Sequence, residues 1–336
     1  MDAQMNYQEK EKYARLCEIF EDNYAITRMY AWYLENCPEL INAEMICELT
    51  ADGAMTRAEG CAAIVAEVLG LDAARSARDR RLIRDYVNRS VRVLDPSRYT
   101  ENPYYKNIRI ENVRSGDWEF KKEVYPAYRA MICGDMIMDD DWLEVPPLGF
   151  FSEDFAFPAV LEGGNEWMTL TPVDLDTSED AIARAHGRVV TFGLGLGYYA
   201  YMVSEKTEVE SITVIERSER VIELFKEHIL PQFPSREKVR VILADAIEYA
   251  EREMPREHYD VAFVDIWRDA SDGAPIYRKM KHVEQLCPDT EFLWWIENFL
   301  ISRCRAEEYA AIAEELEEGS DLTYYEIEER LRRPLG

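Results

Sequence analysis

The sequence predicts an α/β fold: a mostly parallel sheet with helices on both faces, preceded by an N-terminal helical domain and a small β-rich segment. Three observations predict it. From about residue 170, short apolar runs alternate at least four times with stretches of helical period, the pattern of strands joined by crossover helices. Runs such as RVVTF, SITVIE and YDVAFVDIW are nearly all apolar, as expected of strands buried on both faces. The first of these runs leads into Gly193-Leu194-Gly195-Leu196-Gly197, with glycines on alternate positions where a strand should turn into a helix. Glycine loses more conformational freedom on folding than any other residue, so such a cluster implies a close approach to the backbone.

Residues 1 to about 95 read as a helical bundle. Tyr13, Leu16, Cys17 and Phe20 recur at helical spacing, Thr56 and Glu59 have the spacing of a capping box, and Gly70 suits a helix C-terminus. The stretch AARSARDRRLIRDYVNRSVRVL reads as helix throughout. At DPSRYTENPYY turn formers replace the helical period, and up to about residue 170 short apolar runs broken by Gly, Pro and Asp predict strands and loops. Beyond that point LDTSEDAIARAHG is a helix and RVVTF a strand. GYYAYMVSE is a helix, SITVIE a strand, SERVIELFKEHIL a helix, VRVIL a strand and DAIEYAERE a helix. YDVAFVDIW is a strand, YRKMKHVEQLC a helix and EFLWWIE a strand, with charged helices following. The expected division is 1–100 helical, 101–170 β-rich connector, 171–304 sheet domain and 305–336 C-terminal helices.

A chain of 336 residues favours two domains. Its formal charge of −27, from 39 basic and 66 acidic residues, argues against nucleic acid as a partner and suits a cationic or amine-bearing one. Neither a spanning segment nor a secretory leader is legible, so the sequence reads as cytoplasmic and without a membrane partner. Seven scattered cysteines, with no CxxC pair, read as free thiols. No HExxH, GxSxG or Walker motif occurs, Asp139–Asp141 lacks the ligand spacing of a calcium loop, and no metal site is expected. The acidic helical part offers an interaction surface, one that self-association into a homo-oligomer would use.

In an open parallel sheet, ligands bind at the carboxyl ends of the strands. Here those ends carry, in order, the glycine turn, Glu216 located 19 residues beyond Gly197, Asp245-Ala246, and Asp265-Ile266-Trp267. Tyr198 stands where a dinucleotide fingerprint wants its third glycine. The GxGxG pattern with these acidic strand ends resembles the Rossmann-like class I S-adenosylmethionine-dependent methyltransferases, and within them the spermidine-synthase-like branch. The resemblance covers roughly residues 185–300. It implies S-adenosylmethionine as cofactor, held by Gly193, Leu194, Gly195, Gly197, Glu216, Arg217, Asp245 and Ala246. Glu216 would take the ribose hydroxyls, Asp245 with the amide of Ala246 the adenine edge, and Asp265 would be the catalytic acid/base or orienting residue.

The implied activity is methyl transfer to a small-molecule or protein acceptor. Two alternatives stand beside it: polyamine aminopropyl transfer, and a non-catalytic adenosyl-ligand-binding or interaction protein. The branch loop runs Asp-Ser/Thr-Ser/Thr-Asp, whereas this loop runs Asp265-Ile266-Trp267-Arg268-Asp269, and EWMTLTP stands in place of the branch's Tyr-His segment. Thr191 occupies the position where the commonest methyltransferases carry an acidic residue, and no sixth or seventh strand is legible. Trp294 and Trp295 fit either core or pocket.

Overall fold

The computed structural model describes residues 5–110 and 113–334. The chain divides into two compact units, one of Met1–Leu94, Ala127–Ser152 and Glu297–Gly336, the other of Asp95–Pro126 and Glu153–Ile296.

The second unit is built on five parallel strands: β1 (Gly187–Phe192), β2 (Val209–Glu216), β3 (Val239–Leu243), β4 (Val261–Val264) and β5 (Glu291–Trp294). Their spatial order is β3-β2-β1-β4-β5, each neighbouring pair parallel. This Rossmann-like order places a crevice at the carboxyl ends of β1 and β4, where the chain changes direction across the sheet. The connections are helical: α1 (Pro172–Arg184) leads into β1, α2 (Tyr198–Ser204) follows it, α3 (Ala246–Arg252) follows β3, and α4 (Ala270–Leu286) follows β4. Central strands are as apolar as the sequence implies. Val189, Val190 and Phe192 of β1 and Val261, Ala262 and Val264 of β4 are fully buried, each larger side chain contributing about 1.5–3 kcal/mol. Edge strand β3 is less buried, and its Leu243 is exposed.

The same unit carries an antiparallel meander of Val113–Ser115, Trp118–Tyr125, Phe155–Glu162 and Asn165–Thr169. Its last strand runs directly into α1 through Thr171, whose N–H and hydroxyl both donate to Asp174 at 2.7 and 2.8 Å. This reciprocal cap fixes where α1 starts.

In the first unit, helix Arg57–Val68 begins with the expected Thr56–Glu59 box and ends at Gly70, whose φ of 72° suits a helix C-terminus. One local reading is corrected here. Val91–Leu94 is not helical; it pairs in parallel with Leu148–Phe151, because Val91, Leu148 and Phe150 close over the same core as Tyr30, Tyr33, Val65 and Tyr86. That pairing explains why Ala127–Ser152 groups with the helical part, although its texture is that of the β-rich connector. The helices Glu297–Glu317 and Tyr324–Arg332 belong to this unit as well. Ile312, Ile327 and Leu331 pack with Leu16, Phe20 and Trp142, and Arg305 pairs with the buried Glu144. No described helix is long and apolar enough to cross a membrane.

Candidate functional site

The glycine turn is dictated first by the protein's own packing. Gly193, Gly195 and Gly197 have φ of 97°, 55° and 74°, a left-handed region costly for residues with a Cβ. A Cβ on Gly193 would lie 1.9 Å from the carbonyl oxygen of Asp265, on Gly195 2.1 Å from the Sδ of Met168, and on Gly197 2.4 Å from the ring of Phe225. What approaches this backbone is therefore the end of β4, the last meander strand and a helical phenylalanine. Tyr104 supports the turn by donating its hydroxyl to the carbonyl of Leu196.

Two cavities flank the turn. The first, about 400 Å³, is lined by Gly193, Leu194, Gly195, Glu216, Arg217, Asp245, Ala246 and Asp265 together with Trp167 and Trp267. Eight of the nine residues singled out from sequence thus share one cavity; Gly197 lines neither cavity and serves the turn instead. The carboxylate of Glu216 is oriented by two backbone amides, accepting from Leu194 at 3.2 Å and Ser218 at 2.8 Å, one on each oxygen. A carboxylate has about four acceptor positions, so each oxygen keeps one for a ligand. Asp245 accepts from the N–H of Glu248 at 3.0 Å as the cap of α3. Arg217 lies over the ring of half-buried Trp167, 6.0 Å from its centre, and Trp167 in turn meets Trp118 edge-on at 5.4 Å.

The second cavity, about 270 Å³, is lined by Asp174, Ser178, Thr191, Tyr198, Tyr199, Asp265, Trp267 and Trp295 beside the glycines. Trp167, Met168 and Asp265 line both cavities, so Asp265 stands on a shared wall. Although its side chain keeps some surface open to the cavity, burial pushes its carboxyl up to about 8, and the nearby negative charge of Asp174 adds to this. Burial also raises Asp174 to about 6, against the lowering effect of its bonds from Thr171. The phenol of Tyr199 and the indole N–H groups of Trp267 and Trp295 are buried with no hydrogen-bond partner among the described residues. Each such orphan costs about 1–3 kcal/mol, so three around one cavity point to a ligand that satisfies them.

The acidic loop after β4 divides its labour. Asp269 caps α4, accepting from Ser271 at 2.7 Å. Asp272 accepts from the N–H of Asp269 at 3.0 Å and pairs with the exposed Arg268 at 3.4 Å, which draws that arginine toward the helix cap. Trp294 is the last residue of β5, and Trp295 follows it in a turn. Trp294 packs edge-on against Tyr277 at 4.9 Å, whereas Trp295 reaches the second cavity. Asp174, Trp167 and Met168 were not singled out by the sequence. Asp174 lies one position before the helix read at LDTSEDAIARAHG, and nothing local indicates that the strand before it folds back over the glycines.

The raised carboxyl of Asp265 carries a stability consequence. The folded state holds this proton more tightly than the unfolded chain, so stability is greatest below the ordinary carboxylate range and declines as pH rises toward about 8. Asp174 acts with the same sign over a narrower window ending near 6. In melting curves between about pH 4 and about pH 8.5, Asp265→Asn is expected to gain steadily on the wild-type chain. Parallel curves would mean that the carboxyl titrates normally.

No protein-family model matches the chain, and no curated protein matches it. Among solved structures, spermidine synthase from Thermotoga maritima aligns at 14% identity and a TM-score of 0.31, over 45% of this chain and 55% of that one. A spermidine synthase in complex with the transition state analogue AdoDATO aligns at 15% identity and a TM-score of 0.31, over the same shares. A protein described as an O-methyltransferase from Klebsiella pneumoniae aligns at 16% identity and a TM-score of 0.24, over 30% of this chain and 43% of that one. The chain thus spans about half the length of each. At these TM-scores the likenesses add nothing to what the sheet order itself displays.

Proposed function

We propose that the sheet unit binds S-adenosylmethionine and transfers its methyl group to an amine-bearing acceptor. The observation that carries this reading is the convergence of Glu216, Asp245 and the glycine turn, from three adjacent strand ends, on one cavity. The free acceptor positions of Glu216 suit a ribose diol, and the Asp245-Ala246 corner suits a purine edge. Trp167, half-buried on the same wall, offers an aromatic face to a flat base. The residues present fit the group.

When bound, this ligand supplies a methyl group activated by a positive sulfur. The chain's own task is then to align an acceptor and keep water out. Asp265, on the wall shared by both cavities, is placed to orient an acceptor amine or take its proton. A carboxyl shifted to about 8 suits proton transfer near neutrality.

Calorimetric titration of the purified chain is expected to show binding of S-adenosylmethionine and S-adenosylhomocysteine and none of NAD. Incubation with methyl-labelled S-adenosylmethionine and a panel of amines should move label onto one of them. Binding without transfer would support the non-catalytic alternative. Tight NAD binding with no adenosyl sulfonium binding would overturn the reading.

A further inference from the structure

Resting on that reading, the second cavity identifies the part of the ligand beyond the sugar. A molecule with its nucleoside beside Glu216 and Asp245 must pass the glycine turn to continue, and the space it meets is the cavity lined by Asp174, Tyr199, Trp267 and Trp295. The two cavities share Gly193, Leu194 and Gly195, so one extended ligand can occupy both.

The second cavity has two opposite chemistries. Asp174 offers a carboxylate, with Oδ2 engaged by Thr171 and Oδ1 left for a ligand. Asp265 adds a second carboxyl on the shared wall, and the exposed Glu166 lines the second cavity with a third. Tyr199, Trp267 and Trp295 offer hydrogen-bond donors that no described residue uses. The tyrosine is held in place by stacking on Phe263 at 4.2 Å. The only cationic side chain among the lining residues is Arg268, exposed and paired with Asp272. A plain cation would satisfy the carboxyls and leave three donors buried and unused. A plain anion would satisfy the donors and face the carboxyls. A zwitterion satisfies both. Thr191, on the same wall, is neutral, and its hydroxyl lies 3.5 Å from the carbonyl oxygen of Gly193, so the carboxylate for an ammonium has to come from elsewhere.

We propose that Asp174, reaching in from the start of α1, supplies the carboxylate that position 191 lacks, and that with the donors of Tyr199, Trp267 and Trp295 it selects a ligand carrying an intact α-amino-acid tail. Asp174 takes the ammonium group and the neutral donors take the carboxylate. The donors make the distinction, because an amine tail without its carboxylate leaves them unpaired. Asp174 is a specificity residue in this account, and Asp265 keeps its place beside the acceptor.

The test is calorimetry on the full chain with three probes: S-adenosylmethionine, its decarboxylated form, and 5′-methylthioadenosine, which lacks the tail. The wild-type chain is expected to bind S-adenosylmethionine at least about tenfold tighter than either of the others. Asp174→Asn, which retains an acceptor for the helix cap, should bring S-adenosylmethionine to within about threefold of methylthioadenosine while leaving methylthioadenosine unchanged. Trp295→Phe should weaken S-adenosylmethionine and leave the decarboxylated form untouched. Equal wild-type affinity for all three probes overturns the tail site while leaving the nucleoside site standing. Preference for the decarboxylated form overturns it in favour of an amine-tail site and aminopropyl transfer. Failure of every probe to bind removes the adenosyl reading and the tail site together.

Discussion

Gly193→Ala is expected to lower the melting temperature by about 8–16 °C, on a loss of about 4 kcal/mol and a slope of about 2–4 °C per kcal/mol. Two penalties combine. A φ of 97° is strained for any residue with a Cβ, and the added carbon would sit 1.9 Å from the carbonyl oxygen of Asp265. Both partners are backbone, so no side-chain rotation relieves the overlap. Relief requires the ends of β1 and β4 to separate, where Asp265 N–H donates to Phe192 at 2.9 Å. Gly163→Ala is the control. Its φ of 59° carries the strain, but a Cβ there meets nothing within 4 Å, so a loss of only about 1–2 kcal/mol is expected. Thermal melts by circular dichroism compare the two directly. Equal losses would show that conformation alone, and not the closeness of β4, demands the glycine.

That prediction also marks how far the sequence could be read. The strands of the sheet unit were legible because burial on both faces leaves uninterrupted apolar runs, and the helices between them because their residues keep a helical period; that Ser218 and Asp245 cap two of those helices is a finding of the structure. The glycine spacing located the turn correctly but not its cause. Asp265, Met168 and Phe225 approach from distant parts of the chain, and no local pattern encodes such contacts. Val91–Leu94 illustrates the same limit. Its residues follow a helix without punctuation, and only pairing with Leu148–Phe151 makes them a strand. The first cavity was largely readable because its wall is made of strand ends, whose order follows from topology. The second was not. It depends on Asp174 and on the return of the Asn165–Thr169 strand over the turn, and these are tertiary facts.

Glu216→Ala is expected to weaken S-adenosylmethionine binding by about 30- to 1000-fold, or about 2–4 kcal/mol, the value of two hydrogen bonds from a diol to one charged group. The carboxylate is already oriented by Leu194 and Ser218, so little ordering cost offsets those bonds when a ribose arrives. Glu216→Gln separates charge from shape. Its amide group must turn two hydrogens toward one of the N–H donors that the carboxylate now satisfies, so an intermediate loss of about tenfold is expected. Arg217→Ala, by contrast, removes an exposed guanidinium lying over Trp167 and should cost no more than about fivefold. The order Ala at 216, then Gln at 216, then Ala at 217 is what a ribose held by the β2 carboxylate requires. Retention of full affinity in Glu216→Ala, with melting unchanged, would sink the assignment of this cavity to the nucleoside.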